Sequence, residues 1–412
     1  MTNRRNFIRA SAVAGGAVAA GMAAGAATAP AARAAGDGAA DRLALLSWHA
    51  ALANRRYAPA VVAVIGSSST EGVGSAYGRG FVAVLAENLR HTFPVAGAPG
   101  GANFVAAWGR PDHWPVRATG AGRAAPPDDG WALKGWDLGG GSLTHTFTGT
   151  SVQVWHSPGA RLAVTVDGRP IPATGSGFPA AGTGFPAAGS GGGSLAAGSG
   201  GGSLAAGPGS SAAGFMAAGS GPLAAGSHTV TVTGTGRVGG FAVFDGDEHR
   251  GIQVWNGGHG GRTTGSFASR IPAWAPSLGT IRPDLVILQL GVNDWRTGVP
   301  AATVKRNLEI IITAIRAASG TNPSFVIYGS PRVGPGRAEG FGRLAQAWRE
   351  VAAEDTGGYG GTTAVSYFDL AERQPPPSGD NRLGLYCDDL IHMTDKGAAH
   401  TADALTGFLS PS

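Results

Sequence analysis

The stretch AVVAVIGSSSTEG, residues 60–72, places a cluster of hydroxyls directly behind five apolar residues, Val61 to Ile65. A serine hydroxyl is a weak nucleophile at neutral pH and needs an adjacent base. Ser68 is therefore a candidate nucleophile if other segments supply that base; otherwise the turn is a strand-to-helix corner whose serines cap the next helix. Three later stretches hold suitable partners: Asn256 to Thr264 (NGGHGGRTT), Gly291 to Asp294 (GVND) and Asp388 to His392 (DDLIH). An imidazole of pKa about 6.5 can accept the serine proton and later return it to a leaving alcohol. Taken singly, His392 also reads as a surface histidine, Asn293-Asp294 as a turn or helix cap, and Gly257 to Gly261 as a flexible loop.

Other chemistries lack their residues. A phosphate loop needs Gly-x-x-x-x-Gly-Lys-Ser/Thr, which does not occur; Gly-x-Gly-x-x-Gly occurs at 234–239, but within a stretch of alternating β pattern rather than between a strand and a helix, so it marks no dinucleotide fold. No Gly-x-Ser-x-Gly elbow occurs either, which argues against an α/β-hydrolase lipase. His259 and Asp388 lie in no cluster with metal-ligand spacing, so no metal or cofactor is expected. Cys387 is the single cysteine, which excludes an intramolecular disulfide, and it reads as a packed small residue.

The elements around these stretches alternate. Val61 to Ile65 reads as a buried parallel strand. GIQVW from Gly251, DLVILQLG from Asp284, SFVIYGS and AVSYFDL read as four more. Between them lie helical stripes: Phe81, Val84, Leu85 and Leu89; Leu308, Ile311, Ile312 and Ile315; Phe341, Leu344, Ala345 and Trp348; Ala398, Ala402, Leu405 and Leu409. Alternating strands and helices predict a three-layer α/β fold around a five-stranded parallel sheet. Loops at the carboxyl ends of such strands are where this architecture binds ligands.

Residues 95–129, rich in Gly, Pro, Trp and Arg, read as an irregular connection. From Ser142 the pattern changes to five short alternating strands between Gly, Pro and Asp-Gly turns, which predicts a small all-β sandwich. Residues 174–226 interrupt it with tandem GSGGGSLAA and repeated GFPAAG, read as a flexible expanded hairpin loop. The expected organisation is an export signal at 1–34, an α/β part at 42–112, an inserted β-sandwich at 113–248 and a second α/β part at 249–412.

Taken together, Gly66-Ser67-Ser68 continuing Thr70-x-Gly72, the Asn256 loop, Gly291-x-Asn293-Asp294 and Asp389-x-x-His392 resemble, in order, the motifs of the SGNH hydrolases, also called GDSL esterases and lipases. The resemblance covers residues 42–92 and 249–412. It implies a flavodoxin-like fold with Ser68 as nucleophile, His392 as base and Asp389 as orienting acid. It also implies an oxyanion hole of Ser68, Gly261 and Asn293, with Gly260 the alternative to Gly261. The family usually has Asp where this chain has Ser67. The inserted block is similar to jelly-roll modules that bind carbohydrate, and Trp131, Trp136 and Trp155 are candidates to stack on sugars.

Net charge is +5, but four of the 31 basic residues lie in residues 1–34, which hold no acid; 27 against 26 acidic residues remain. Nucleic acid is therefore not an expected partner. Arg4-Arg5, Phe7-Ile8, a weakly apolar Ala/Gly run and Ala32-Arg33-Ala34 resemble a twin-arginine export signal, which implies a secreted protein without a stable membrane anchor after cleavage. The expected function is a secreted serine esterase acting on O-acetylated extracellular or cell-wall polysaccharide. The alternatives are a GDSL lipase or lysophospholipase, and a non-catalytic module that binds cell-wall glycan. The secreted protein is expected to begin at Ala35; intact-mass measurement checks this, and a chain still carrying Met1 counts against it.

Overall fold

The computed structural model describes residues 43–109, 114–124, 130–171, 215–334, 340–358 and 364–411. The export signal expected at 1–34 and most of the repeat stretch lie outside the described residues. Five parallel strands form the central sheet, in the order Ile252–Gly258, Ala60–Gly66, Leu285–Gln289, Ser324–Gly329, Val365–Asp369. The first strand is buried along all seven residues. Val61, Ala63 and Ile65 face one apolar layer, and Ala60, Val62 and Val64 face the other. This two-sided burial explains why the strand reads as an unbroken apolar run.

The helices supply the two outer layers. Ala301–Ser319 buries Leu308, Ile311, Ile312 and Ile315 on one face, with Leu344 and Trp348 of Phe341–Glu354 in the same layer. Phe81–Thr92 and Asp395–Leu409 pack together on the opposite face, burying Phe81, Leu85, Leu89, Ala398, Ala402, Leu405 and Leu409. The α/β fold is therefore the one the alternation predicts. Among the described residues no helix is long and apolar enough to cross a membrane.

Between the first strand and Ile252–Gly258 the chain builds two antiparallel sheets, of six and five strands. They share a core that includes Val105, Leu143, Phe147, Val152, Val154, Val164, Val230, Val232 and Phe241. The sequence shows five of these strands; the other six are Asn103–Ala106, Val116–Thr119, Arg123–Ala124, Trp136–Asp137, Arg169–Ile171 and Met216–Gly219. The supposedly irregular stretch 95–129 thus contains three strands. Asn103–Ala106, expected in the α/β part, pairs antiparallel with Arg237–Phe244. The stretch 174–226 ends in structure: Phe215 is buried and Met216–Gly219 pairs with Ser151–His156. Strands of two to four residues are too short to display a period of two, which is why pattern alone misses them.

Asn103 joins the two parts of the fold. It is fully buried, with φ 50°. Its side-chain oxygen accepts the Val254 N–H at 2.7 Å and an Arg90 N–H at 2.5 Å, and its amide donates to the Gly100 carbonyl at 3.0 Å.

At the amino edge of the parallel sheet, the Asp284 carboxylate accepts the Val61 N–H at 2.8 Å. Burial pushes this carboxyl up to about 6, against the pull of that N–H and of Arg282. A carboxyl raised in the folded state favours folding while protonated, and that contribution is lost as pH rises through its folded pKa. Asp284→Asn keeps an oxygen for Val61 and removes the ionisation. Thermal unfolding across pH is expected to show a gain of about 1–3 kcal/mol at about pH 7.5 and little change at about pH 4.

Candidate active site

Ser68 opens a one-turn helix, Ser68–Glu71, directly after the first strand. The turn leaves the strand under tight constraint. A Cβ on Gly66 would lie 1.9 Å from Thr70 Oγ1, so only glycine lets the helix fold back onto the strand end. Thr70 Oγ1 donates to Gln289 Oε1 at 2.9 Å, and the Ser67 N–H and hydroxyl face the same oxygen at 3.3 and 3.4 Å. Ser67 is thereby turned into the protein, toward Gln289. Ser68, half-buried, faces the other way.

His392 Nε2 lies 2.9 Å from Ser68 Oγ, and its Nδ1 lies 2.5 Å from Asp389 Oδ2. The second Asp389 oxygen accepts the backbone N–H groups of Ile391 and His392, both at 2.9 Å. Burial raises the Asp389 carboxyl, but the His392 N–H, the His392 ring and the Ile391 N–H outweigh it and hold it below its ordinary range. This tight Asp-x-x-His turn places Leu390 at φ 54°, a left-handed conformation that L-residues adopt at a cost.

The turn is closed by the Cys387 N–H, which donates to the His392 carbonyl at 2.8 Å. Cross-links hold it against the segment after Ser68: Ser75 Oγ donates to the Met393 carbonyl at 3.3 Å and Ala76 N–H to Asp395 Oδ1 at 2.8 Å. Cys387, half-buried, has its Sγ 3.5 Å from the Gly74 carbonyl, the packed position expected for it.

The glycine loop after Ile252–Gly258 runs beside the Ser68 helix. Gly258 packs so closely that a Cβ there would come within 2.2 Å of the Glu71 nitrogen. Of the two glycines considered for the oxyanion hole, Gly260 already donates its N–H to Glu71 Oε2 at 2.6 Å. Gly261 follows at φ 78°. Asn293 Nδ2 donates to the Arg262 carbonyl at 3.0 Å, and a primary amide carries a second N–H for a further acceptor. Asp294, 1% exposed, accepts the Thr264 N–H at 2.9 Å and hydroxyl at 2.6 Å, fastening the far end of the loop. Burial raises the Asp294 carboxyl, and Thr264 only partly offsets it.

The structure thus gathers Ser68, Asp389 and His392 into one hydrogen-bonded chain and brings Asn293 to the loop that carries Gly261. His259 is buried with Nδ1 3.0 Å from the Ala132 carbonyl; burial and the nearby Lys134 and Arg262 push it down to about 3, so its ring is neutral. Asp388 is exposed. Trp131 and Trp155 are each 1% exposed core residues, which removes them as sugar-stacking surfaces, and Trp136 is half-buried against the sandwich core. Glu71, Gln289 and Lys134 stand out in no motif of the sequence, and Asp294 stands there only as the last residue of its motif, without a role of its own. Gln289 carried a signal, as a polar residue in an apolar strand that must find a buried partner.

Gly66→Ala is expected to cost about 1–3 kcal/mol of stability by overpacking and to lower kcat by displacing Thr70 from Gln289. Denaturant unfolding and ester turnover measure the two effects.

Residues 192–400, just over half of the chain, match the GDSL-like lipase/acylhydrolase family. The matched region contains the glycine loop, Asn293 and the Asp389–His392 turn, and Ser68 precedes it. A search of curated proteins returns no significant match. Among solved structures, a peptidoglycan O-acetylesterase is 18% identical with a TM-score of 0.61, over 88% of this chain and 94% of that one. TesA is 21% identical over 40% of this chain and 82% of that one, with a TM-score of 0.31. The salicylyl-acyltransferase SsfX3 from a tetracycline biosynthetic pathway is 14% identical over 73% and 95%, also at 0.31. With a family match over most of its second half and this fold around it, the chain belongs to the GDSL-like lipase/acylhydrolase family.

Proposed function

We propose that this ester hydrolase works through an acyl-enzyme on Ser68 and that its substrates are O-acetylated polysaccharides outside the cell. The reading is carried by the Ser68–His392–Asp389 chain, with contacts of 2.9 and 2.5 Å. Ser68 Oγ attacks the ester carbonyl while its proton passes to His392 Nε2. Asp389, held ionised, fixes the Nδ1–H tautomer and stabilises the imidazolium. The oxyanion meets the N–H groups of Ser68 and Gly261 and the Asn293 amide, donors that have no proton to lose at this pH. Collapse of the tetrahedral intermediate breaks the C–O bond, and His392 returns its proton to the departing alcohol. Water, deprotonated by the same imidazole, then releases the acid and restores Ser68.

Two features favour a polymeric, polar alcohol. Asp389 keeps 45% of its side chain exposed, so the site opens to solvent at the surface, where a polysaccharide can reach it. The similar peptidoglycan O-acetylesterase structure aligns over 88% of this chain. The lipase reading has one observation in its favour. A cavity of about 390 Å³, lined by Val82, Ala86, Phe104 and Trp114 but also by Glu87, Arg90 and Lys134, reaches Thr70 and Glu71 in the turn that Ser68 opens, without Ser68 itself in its lining. The resemblance of residues 1–34 to a twin-arginine export signal supports secretion, and appearance in culture medium that depends on those residues tests it.

Ser68→Ala is expected to lower p-nitrophenyl acetate hydrolysis by at least about 10³-fold with the fold intact. Wild-type turnover by this variant overturns the assignment. A panel from acetyl to long-chain esters and acetylated glycans separates the readings: acetyl glycans preferred supports the polysaccharide esterase, and long chains preferred supports the lipase. A protein that no fluorophosphonate probe labels is a binding module.

A further inference from the structure

A short segment of the inserted region, Trp131 to Lys134, reaches the candidate active site and is used by no step above. Lys134 Nζ lies 2.6 Å from Glu71 Oε1, and the two side chains are 1% and 6% exposed. Glu71 closes the helical turn that Ser68 opens. Its other oxygen accepts the Gly260 N–H at 2.6 Å. One carboxylate thus ties a lysine from the inserted region to the His259–Gly260 peptide, one before the peptide that carries the Gly261 N–H. Trp114 and Trp108 flank the ammonium, with ring centres 5.2 and 5.7 Å away. The same segment holds the loop at two more points: the Ala132 carbonyl meets His259 Nδ1, and the Trp131 ring lies where a Cβ on Gly257 would come within 2.9 Å.

The physical consequence follows from burial. A carboxylate out of water holds a fixed place only while a cation and hydrogen-bond donors satisfy it. Here the cation comes from one part of the fold and a donor from another. Oxyanion donors accelerate a reaction only if they are aimed before charge develops. The Gly261 N–H belongs to the next peptide along the chain, one residue beyond the Gly260 N–H that Glu71 holds.

We propose that Lys134 is a positioning residue for ester hydrolysis: by holding Glu71 it sets the Gly260–Gly261 segment, so the inserted region supplies part of the oxyanion-stabilising architecture. This rests on the serine-esterase reading and on Gly261 as a donor. The inserted region is then required even for a substrate too small to touch it.

The test uses the full chain and p-nitrophenyl acetate, with Lys134→Met, Glu71→Gln and the double variant. Lys134→Met is expected to lower kcat by about 10- to 100-fold with KM within about twofold, because the lost interaction acts in the transition state. Affinity for phenylboronic acid, which forms a tetrahedral adduct with a serine nucleophile, is expected to fall by a similar factor. In the double variant the carboxamide introduced at position 71 can still accept the Gly260 N–H and no unpaired charge is buried, so at least tenfold of kcat is expected to return. Should Lys134→Met fail to fold, Lys134→Gln, which keeps a donor toward Glu71, serves in its place with a smaller loss. Asp167→Asn, which removes an ion pair with His228 on the outer sheet, is expected to leave kcat unchanged. Unaltered kcat in Lys134→Met, or a fall in kcat matched by a lower Tm with no recovery in the double variant, overturns the proposal. If instead the wild type does not hydrolyse the ester, or Ser68→Ala hydrolyses it as well, the serine-esterase reading fails, and the proposal with it.

Discussion

A hydroxyl at residue 68 and an imidazole at residue 392 meet at 2.9 Å although 324 positions separate them. Neither group is useful alone, since the first is too weakly nucleophilic and the second merely titrates. What joins them is the parallel sheet. Its strands all end on one edge, and the chain reverses order there, with the second strand of the sheet laid outside the first and the third on its inner side. Loops from opposite ends of the sequence therefore share one rim. The remaining structure serves that meeting. Apolar layers on both faces keep the strands in register, and cross-links such as Ser75 to Met393 keep the two loops from drifting apart.

The α/β part was legible because its strands and helices are long enough to show their periods. Leu308, Ile311, Ile312 and Ile315 reveal a helix face, and Val61 to Ile65 reveals a strand covered on both sides. The candidate site was legible for another reason: its chemistry needs particular residue types, and Ser, Asn, Asp and His recur at turns in the right order. The sandwich was only half legible. Its longer strands alternate, but Trp136–Asp137 and Arg123–Ala124 are two residues each, and their pairing depends on neighbours distant in the chain. Trp131 and Trp155 also misled, since an indole suits a sugar face and a core equally well; only the packing decides, and it puts both in the core.

The least legible layer is the polar one beneath the candidate site. Glu71 sits in a turn of small hydroxyl residues, and Lys134 lies among Trp131, Leu133 and Trp136. Each reads alone as a surface charge. Their contact joins residues 63 positions apart through two different architectures, and no local spacing encodes it. Burial lowers the Lys134 ammonium from its ordinary range, and Glu71 opposes that shift, as expected where two charges leave water together. Gln289 shows the same principle in neutral form, one oxygen gathering Ser67 and Thr70 at the strand end.

Asn103 has a consequence beyond joining the two parts of the fold. Ile252–Gly258 is one of the two outermost strands of the parallel sheet, and an outermost strand presents main-chain donors and acceptors that can recruit a foreign strand. The Asn103 carboxamide occupies the Val254 donor on that outward side, and the guanidinium of Arg90 reaches the Ile252 carbonyl at 3.1 Å. Side chains thus terminate the sheet where backbone would otherwise continue it. The protein is guarded at that border against end-to-end assembly, and the guard is built from the same crossing that carries the chain out into its second architecture.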